Sequence, residues 1–153
     1  MSDNRIRSLV DRDMDAIVEM DICGTVDPWS REEIMKFKRL RRNLCIVYDN
    51  GAGPIAYALY TMSRRELTIA RLVVDDVHRR RGIGTAMLEW LKAKLQTQGR
   101  RKLVVQVDER MLPVQQFLRD CDFLCVQTYR DLYEKGVDGY EFQYDLAKMA
   151  DAV

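Results

Sequence analysis

The residues best suited to chemistry lie in one stretch, Leu72-Val73-Val74-Asp75-Asp76-Val77-His78-Arg79-Arg80-Arg81-Gly82-Ile83-Gly84-Thr85. An apolar strand ends there, and a loop with two glycines opens a helix. The first four N–H groups of any helix lack partners within it. Together with the helix dipole they favour an anion. Glycine lets the backbone come close to a phosphate and adopt positive φ where a nest of N–H groups requires it. Arg79, Arg80 and Arg81 add positive charge. A pyrophosphate is the natural ligand. The spacing is not the GxGxxG fingerprint, whose third glycine is missing, nor a P-loop, because no Gly-Lys-Ser/Thr follows. Cys23, Cys45, Cys121, Cys125 and the single histidine, His78, lack the paired spacing of a zinc site. The cysteines read as free thiols buried like small apolar residues.

The elements that position this loop follow from pattern. Residues 5–9 alternate as a short strand. Asp11 or Asp13 caps a helix that turns Met14, Ile17, Val18 and Ile22 inward. Ser30-Arg31-Glu32-Glu33 has the capping-box form and opens a second helix with Ile34, Phe37 and Leu40 on one face. Strands are expected at residues 44–48, 55–62 and 67–74, with short hairpin loops between them. A helix at about residues 85–98 carries Leu88, Leu91 and Leu95 on one face and stops at Gly99. A buried strand at residues 103–107 follows it, so it should run parallel to the strand at residues 67–74. A helix from Pro113 turns Val114, Phe117, Leu118 and Cys121 inward, and strands at residues 123–129 and 140–146 finish the chain. The order β-α-α-β-β-β-α-β-α-β-β is that of an α/β protein, a mixed sheet with helices on both faces. One domain over residues 1–153 is expected.

Of the 153 residues, 47% are hydrophobic and 32% charged, with a net charge of +1. Such a balance gives no reason to expect nucleic acid or an anionic membrane as partner. No apolar run reaches the ~20 residues of a membrane helix, and the first residues lack a secretory core. A cytoplasmic protein is expected.

Arg79-x-x-Gly82-x-Gly84 resembles the Q/R-x-x-G-x-G/A motif of the GNAT acetyltransferases, and the element order is similar to their fold. Within that superfamily the chain resembles the ribosomal-protein N-terminal alanine acetyltransferases. Pro28-Trp29-Ser30 is similar to their PWS element, and Arg130-Asp131-Leu132-Tyr133 to their R-N-Y-Y element. The resemblance implies acetyl-CoA as acetyl donor, in a cleft where the strand at residues 67–74 splays from that at 103–107. It implies that the backbone of Leu72, Val73 and Val74 pairs with the pantetheine arm. The backbone of Arg80, Arg81, Gly82, Ile83, Gly84 and Thr85 would hold the pyrophosphate, with Arg79 nearby. An acceptor amine, foremost a protein N-terminal α-amine, would attack the thioester directly.

The departures from the family pattern fall at its catalytic positions. Gln106 stands where the general-base glutamate is expected, and Leu118 where the acidic tyrosine is. Met111 replaces an asparagine that touches the cofactor, and Asp122 a glycine. Glutamine cannot take the proton and leucine cannot give one. Gln106 is expected to bond the amine or an ordered water. Asp108 and Glu109 are candidate replacement bases, Tyr129 and Tyr133 candidate acids or substrate contacts, and Trp29 a candidate wall of the acceptor site. The alternatives are a non-catalytic acyl-CoA-binding module and a scaffold subunit. The alternating last strand suggests an exposed edge suited to a homodimer.

Overall fold

The computed structural model describes residues 5–25 and 27–151. Its elements follow the expected order, with two short 3-10 turns (Asp11–Asp13 and Asp76–His78) and a C-terminal helix added. They are β1 (Ile6–Ser8), α1 (Met14–Gly24), α2 (Arg31–Arg39), β2 (Asn43–Asp49), β3 (Pro54–Met62), β4 (Glu66–Val74), α3 (Ile83–Thr97), β5 (Lys102–Asp108), α4 (Leu112–Asp120), β6 (Leu124–Glu134), β7 (Val137–Asp145) and α5 (Leu146–Asp151). The strands form one mixed sheet ordered β1-β2-β3-β4-β5-β7-β6. The chain packs as two compact units. The first comprises Met1–Met62 and Ala70–Leu91, the second Ser63–Ile69 and Lys92–Val153.

In the first unit β1 pairs antiparallel with β2, and β2 with β3. The turn between β2 and β3 is built by Asp49, whose Oδ1 accepts the N–H of Gly51 at 2.8 Å and of Gly53 at 3.1 Å. Both glycines have positive φ. Asp13 is the N-cap residue of α1, but its side chain does not cap that helix as expected; its carboxylate holds the 3-10 turn before it. It accepts the Val10 N–H at 2.9 Å and a fork from Arg7 at 2.7 and 3.0 Å. The capping box of α2 forms as expected: Ser30 Oγ accepts the Glu33 N–H, and Glu33 Oε1 accepts the Ser30 N–H, both at 3.2 Å. Such a cap stabilises a helix by ~1 kcal/mol. The core gathers Met14, Ile17 and Met20 of α1, Ile34 of α2, and Val47, Tyr57, Leu59 and Val73 of the strands. Each buried aliphatic side chain contributes roughly 1.5–3 kcal/mol. Two helix positions expected inward face solvent instead, Ile22 at 60% exposure and Leu40 at 59%. Ile22 lies off the Met14–Ile17–Met20 stripe, and Leu40 is the C-cap, past the last helical turn.

In the second unit β4 pairs parallel with β5, as expected, from Glu66 opposite Lys102 to Ile69 opposite Val105. β7 lies antiparallel between β5 and β6. The outer strand is therefore β6 and not the last strand. β6 also runs further than expected, and with β7 it makes a long hairpin through residues 130–139, between the two strands expected there. A bulge between Tyr129 and Glu134 interrupts the ladder, with Asp131 at φ +53°. α4 buries Leu118, and beyond it Cys121 and Phe123 are buried too, whereas Val114 is exposed. No disulfide joins the four cysteines; Cys45 and Cys121 are buried, but Cys23 and Cys125 are exposed, contrary to expectation. No helix among the described residues is long and apolar enough to cross a membrane.

Candidate functional site

The glycine loop and its surroundings belong to the first unit. β4 ends at Val74, and the Asp75 N–H returns to Ile55 C=O at 2.8 Å. The 3-10 turn Asp76–His78 reverses the chain, and His78 Nδ1 lies 3.3 Å from the Asp75 carboxylate. Arg79 is turned back on the strand. Its Nε donates to Val74 C=O at 3.2 Å, and its Nη1 pairs with Asp76 at 2.9 Å. Arg80 and Gly82 both have positive φ, +63° and +79°. The buried Ile83 side chain anchors the start of the 15-residue α3. The Ala86 N–H bonds Gly82 C=O at 2.9 Å, which makes Gly82 the N-cap. The amides of Gly82, Ile83, Gly84 and Thr85 are then the four that the helix itself cannot use. Arg80 and Arg81 are exposed. A run of amide donors, the positive end of a dipole and two exposed guanidinium groups fit a diphosphate.

A network that the sequence reading missed holds the ground beside this loop. Asp21 of α1 is 0% exposed and receives Arg71 Nε at 2.8 Å and a second Arg71 nitrogen at 2.9 Å. Tyr57 donates its hydroxyl to the same carboxylate, and the Trp29 N–H reaches it at 2.6 Å. Arg71 goes on to Thr25 Oγ1 at 3.0 Å and Asp27 C=O at 3.2 Å, and its guanidinium lies 5.0 Å from the Trp29 ring centre. The segment after α1 is thereby pinned to β4 one residue before Leu72. Gly24 lies close as well, since a β-carbon there would come within 3.0 Å of Val73 and Arg79. Burial, and then the Asp21 carboxylate, push the Tyr57 hydroxyl far up. Burial opposes the charge on Arg71, but its bonds to Asp21 outweigh that and raise it. A signal was present: Arg71 shares the strand parity of the buried Leu67, Ile69 and Val73, and Asp21 lies four residues after Ile17. Opposite charges on two inward faces imply a buried pair.

The other candidates lie in the second unit, on one face of its sheet. Gln106 is exposed on β5, directly opposite Glu141 on β7, and Asp108 is opposite Gly139. Directly opposed residues point to the same face. Tyr129 of β6 joins them by donating its hydroxyl to Glu141 Oε1 at 3.2 Å. Tyr133 and Leu132 lie over Gly139, where an added β-carbon would collide with both. Asp108 is committed to Arg110, at 2.6 and 3.0 Å, and accepts that residue's N–H at 2.8 Å. The Arg110 hydrogen bond holds its carboxyl below the usual range. Burial and the Asp108 charge push the Tyr133 hydroxyl up. The Glu109 N–H donates to Asp138 C=O at 3.0 Å, and its own C=O receives the buried Gln115 side chain at 3.0 Å. Leu118, 3% exposed, is core. Met111 is the N-cap of α4 and half-buried. Gln106, Asp108 and Tyr133 thus share a face with Glu141, a residue that the sequence reading had placed only in a polar alternation.

The fold and the loop are those of one family, and sequence comparison names it. Residues 14–123 match the acetyltransferase (GNAT) family, and the chain belongs to it. The structure is similar to the ribosomal-protein-S18-alanine N-acetyltransferase of Escherichia coli, with a TM-score of 0.83 at 22% identity over 92% of each chain. Ard1 of Thermoplasma volcanium gives 0.83 at 17% identity, over 92% of this chain and 95% of that one. An aminoglycoside 6'-N-acetyltransferase in complex with coenzyme A gives 0.78 at 10% identity, over 92% and 96%. At these identities the likeness is one of fold. Among curated proteins none matches the chain in sequence.

Proposed function

We propose that the protein transfers an acetyl group from acetyl-CoA to an amine, foremost the α-amine of a peptide or protein. The observation that carries this reading is the start of α3, where Arg80 and Gly82 take positive φ ahead of four unused amides. The amides of Gly82, Ile83, Gly84 and Thr85 would hold the pyrophosphate, and Arg80 and Arg81 would meet its charge from solvent. Arg79 acts through structure, by tying the loop to Val74. The backbone of Leu72, Val73 and Val74 would receive the pantetheine arm. Acetyl-CoA supplies an activated carbonyl carbon and a thiolate leaving group.

The residues of the second unit favour an α-amine acceptor. An α-amine has a pKa of ~7.7–8.0, so about a tenth of it is neutral at pH 7; a lysine amine, at ~10.4, is neutral in about one molecule in two thousand. With Gln106 in place of a carboxylate on β5, the acceptor that arrives partly neutral has the advantage. Gln106 would orient the nitrogen through its amide. Asp108, already paired with Arg110, is a poor base and would act with Glu109 as fixed negative charge that attracts the ammonium form. Tyr133, whose hydroxyl keeps its proton, is the acid we assign to the departing thiolate.

Calorimetric titration with acetyl-CoA, using Gly84→Trp as control, followed by thiol release across a panel of peptide N-termini, tests this. Saturable binding lost in Gly84→Trp and peptide-dependent thiol release are expected. Binding without turnover on any amine would favour an acyl-CoA-binding module instead, a reading supported by Leu118 being packed into the core.

A further inference from the structure

Glu141 is the one carboxylate on the Gln106 face that is oriented without an arginine among its described partners. It stands directly across from Gln106 in the β5–β7 register, so the two side chains leave the sheet side by side, with β-carbons about 4.5–5.5 Å apart. Two neutral donors from the same face fix it. Tyr129 Oη donates to Oε1 at 3.2 Å, and Gln143 Nε2 donates to Oε2 at 2.8 Å. A carboxylate has about four lone-pair sites, so each oxygen keeps one for a further donor. The residue is half-buried and so accessible from solvent. Asp108, by contrast, takes three bonds from Arg110.

We propose that Glu141 is the general base of this acetyltransferase, with Tyr129 as its positioning residue. The proposal rests on the acetyl-transfer reading above. The amine nitrogen uses its lone pair to form the C–N bond at the thioester carbonyl carbon. Its excess proton passes to a Glu141 carboxylate oxygen, directly or through one water, and from there to solvent. The C–S bond breaks with its electron pair on sulfur, and the thiolate takes one proton from the acid or from water. Amine and thioester give amide and thiol, with no other reactant. The displacement is one of strand and not of face: the carboxylate absent from β5 at Gln106 is supplied by the strand hydrogen-bonded to β5. The other ionisable groups on this face are Lys102 and Asp108 of β5, Asp145 of β7, Tyr129 and Tyr133 of β6, and Glu66 at the start of β4, whose charge reaches Tyr129. Burial and Glu141 itself push the Tyr129 hydroxyl up, which keeps it a donor.

The test compares the parent protein with Glu141→Gln, Glu141→Asp and Tyr129→Phe on the best peptide from the panel. Glu141→Gln should lower kcat/KM by roughly 10²–10⁴-fold at pH 7, with acetyl-CoA affinity and melting temperature unchanged. Its deficit should shrink as the pH rises past ~8, where the α-amine arrives neutral. Glu141→Asp should recover part of the rate, and Tyr129→Phe should lose about fivefold, as for one neutral hydrogen bond. A Glu141→Gln protein with parental turnover overturns the proposal alone. A loss of rate matched by a loss of acetyl-CoA affinity, or a deficit flat with pH, overturns it in favour of a structural role. No turnover by the parent on any amine overturns the acetyl-transfer reading, and the proposal with it.

Discussion

Two clusters of charged side chains, one in each unit, use the same chemistry to opposite ends. Around Asp21 the carboxylate is fully buried and saturated: Arg71, Tyr57 and the Trp29 amide all point at it. Around Gln106 the side chains stand at the surface, and Glu141 is held by two neutral donors with lone pairs to spare. A saturated buried pair cannot exchange protons with a substrate, but it fixes the chain around it. A carboxylate oriented and still open to solvent can do chemistry. The contrast teaches that the charges to test for catalysis are those left with capacity, not those with the most partners.

The comparison breaks first at Asp21. Asp21→Ala leaves Arg71 charged and buried, and should cost ~3–5 kcal/mol, read as a lower urea midpoint; Glu141→Gln should leave that midpoint in place. A smaller effect is expected at Gly82. Its φ of +79° strains any L side chain, although nothing lies within 4 Å of an added β-carbon. Gly82→Ala should cost about 1 kcal/mol and weaken acetyl-CoA binding if the loop relaxes, which calorimetry and a thermal melt separate. Asp122, also left-handed at φ +70°, closes α4 by donating its N–H to Arg119 C=O at 3.0 Å. Asp122→Gly should stabilise the fold by up to ~1 kcal/mol, seen as a higher melting temperature.

The smallest effect concerns acid. The Arg7 hydrogen bonds hold the Asp13 carboxyl low, against the burial that would raise it. A carboxyl lower in the folded state stabilises the fold above its unfolded pKa, ~3.9, and that contribution fades as pH falls through the folded value. Urea midpoints should hold down to about pH 5 and then drop, and Asp13→Asn should remove part of the drop.

Local chemistry was legible in the sequence, and cross-chain arrangement was legible only in part. The capping box at Ser30 and the loop before α3 are short-range patterns, and each formed where the residues implied. The parallel pairing of β4 with β5 followed from the helix between them. The far end of β6 was not readable, because an outer strand exposed along nearly its whole length shows no apolar alternation; the ladder to β7 defines it, and the Asp131 bulge breaks even that. The Asp21–Arg71 pair was hinted at by parity but joins residues 50 apart. Glu141 shows the same limit. Its polar alternation was visible, but its meaning depends on β7 lying next to β5, which no local pattern encodes.

The cysteines carry a practical consequence. Cys23, in the first unit, and Cys125, in the second, are exposed, whereas Cys45 and Cys121 are buried. Burial pushes the Cys45 thiol up to about 11, so it is almost wholly unreactive thiol at neutral pH. The natural chain therefore already offers one attachment point per unit for a maleimide dye. A donor–acceptor pair placed there turns the protein into a molecular ruler, one that reads the spacing of its two halves in solution as acetyl-CoA and peptide are added.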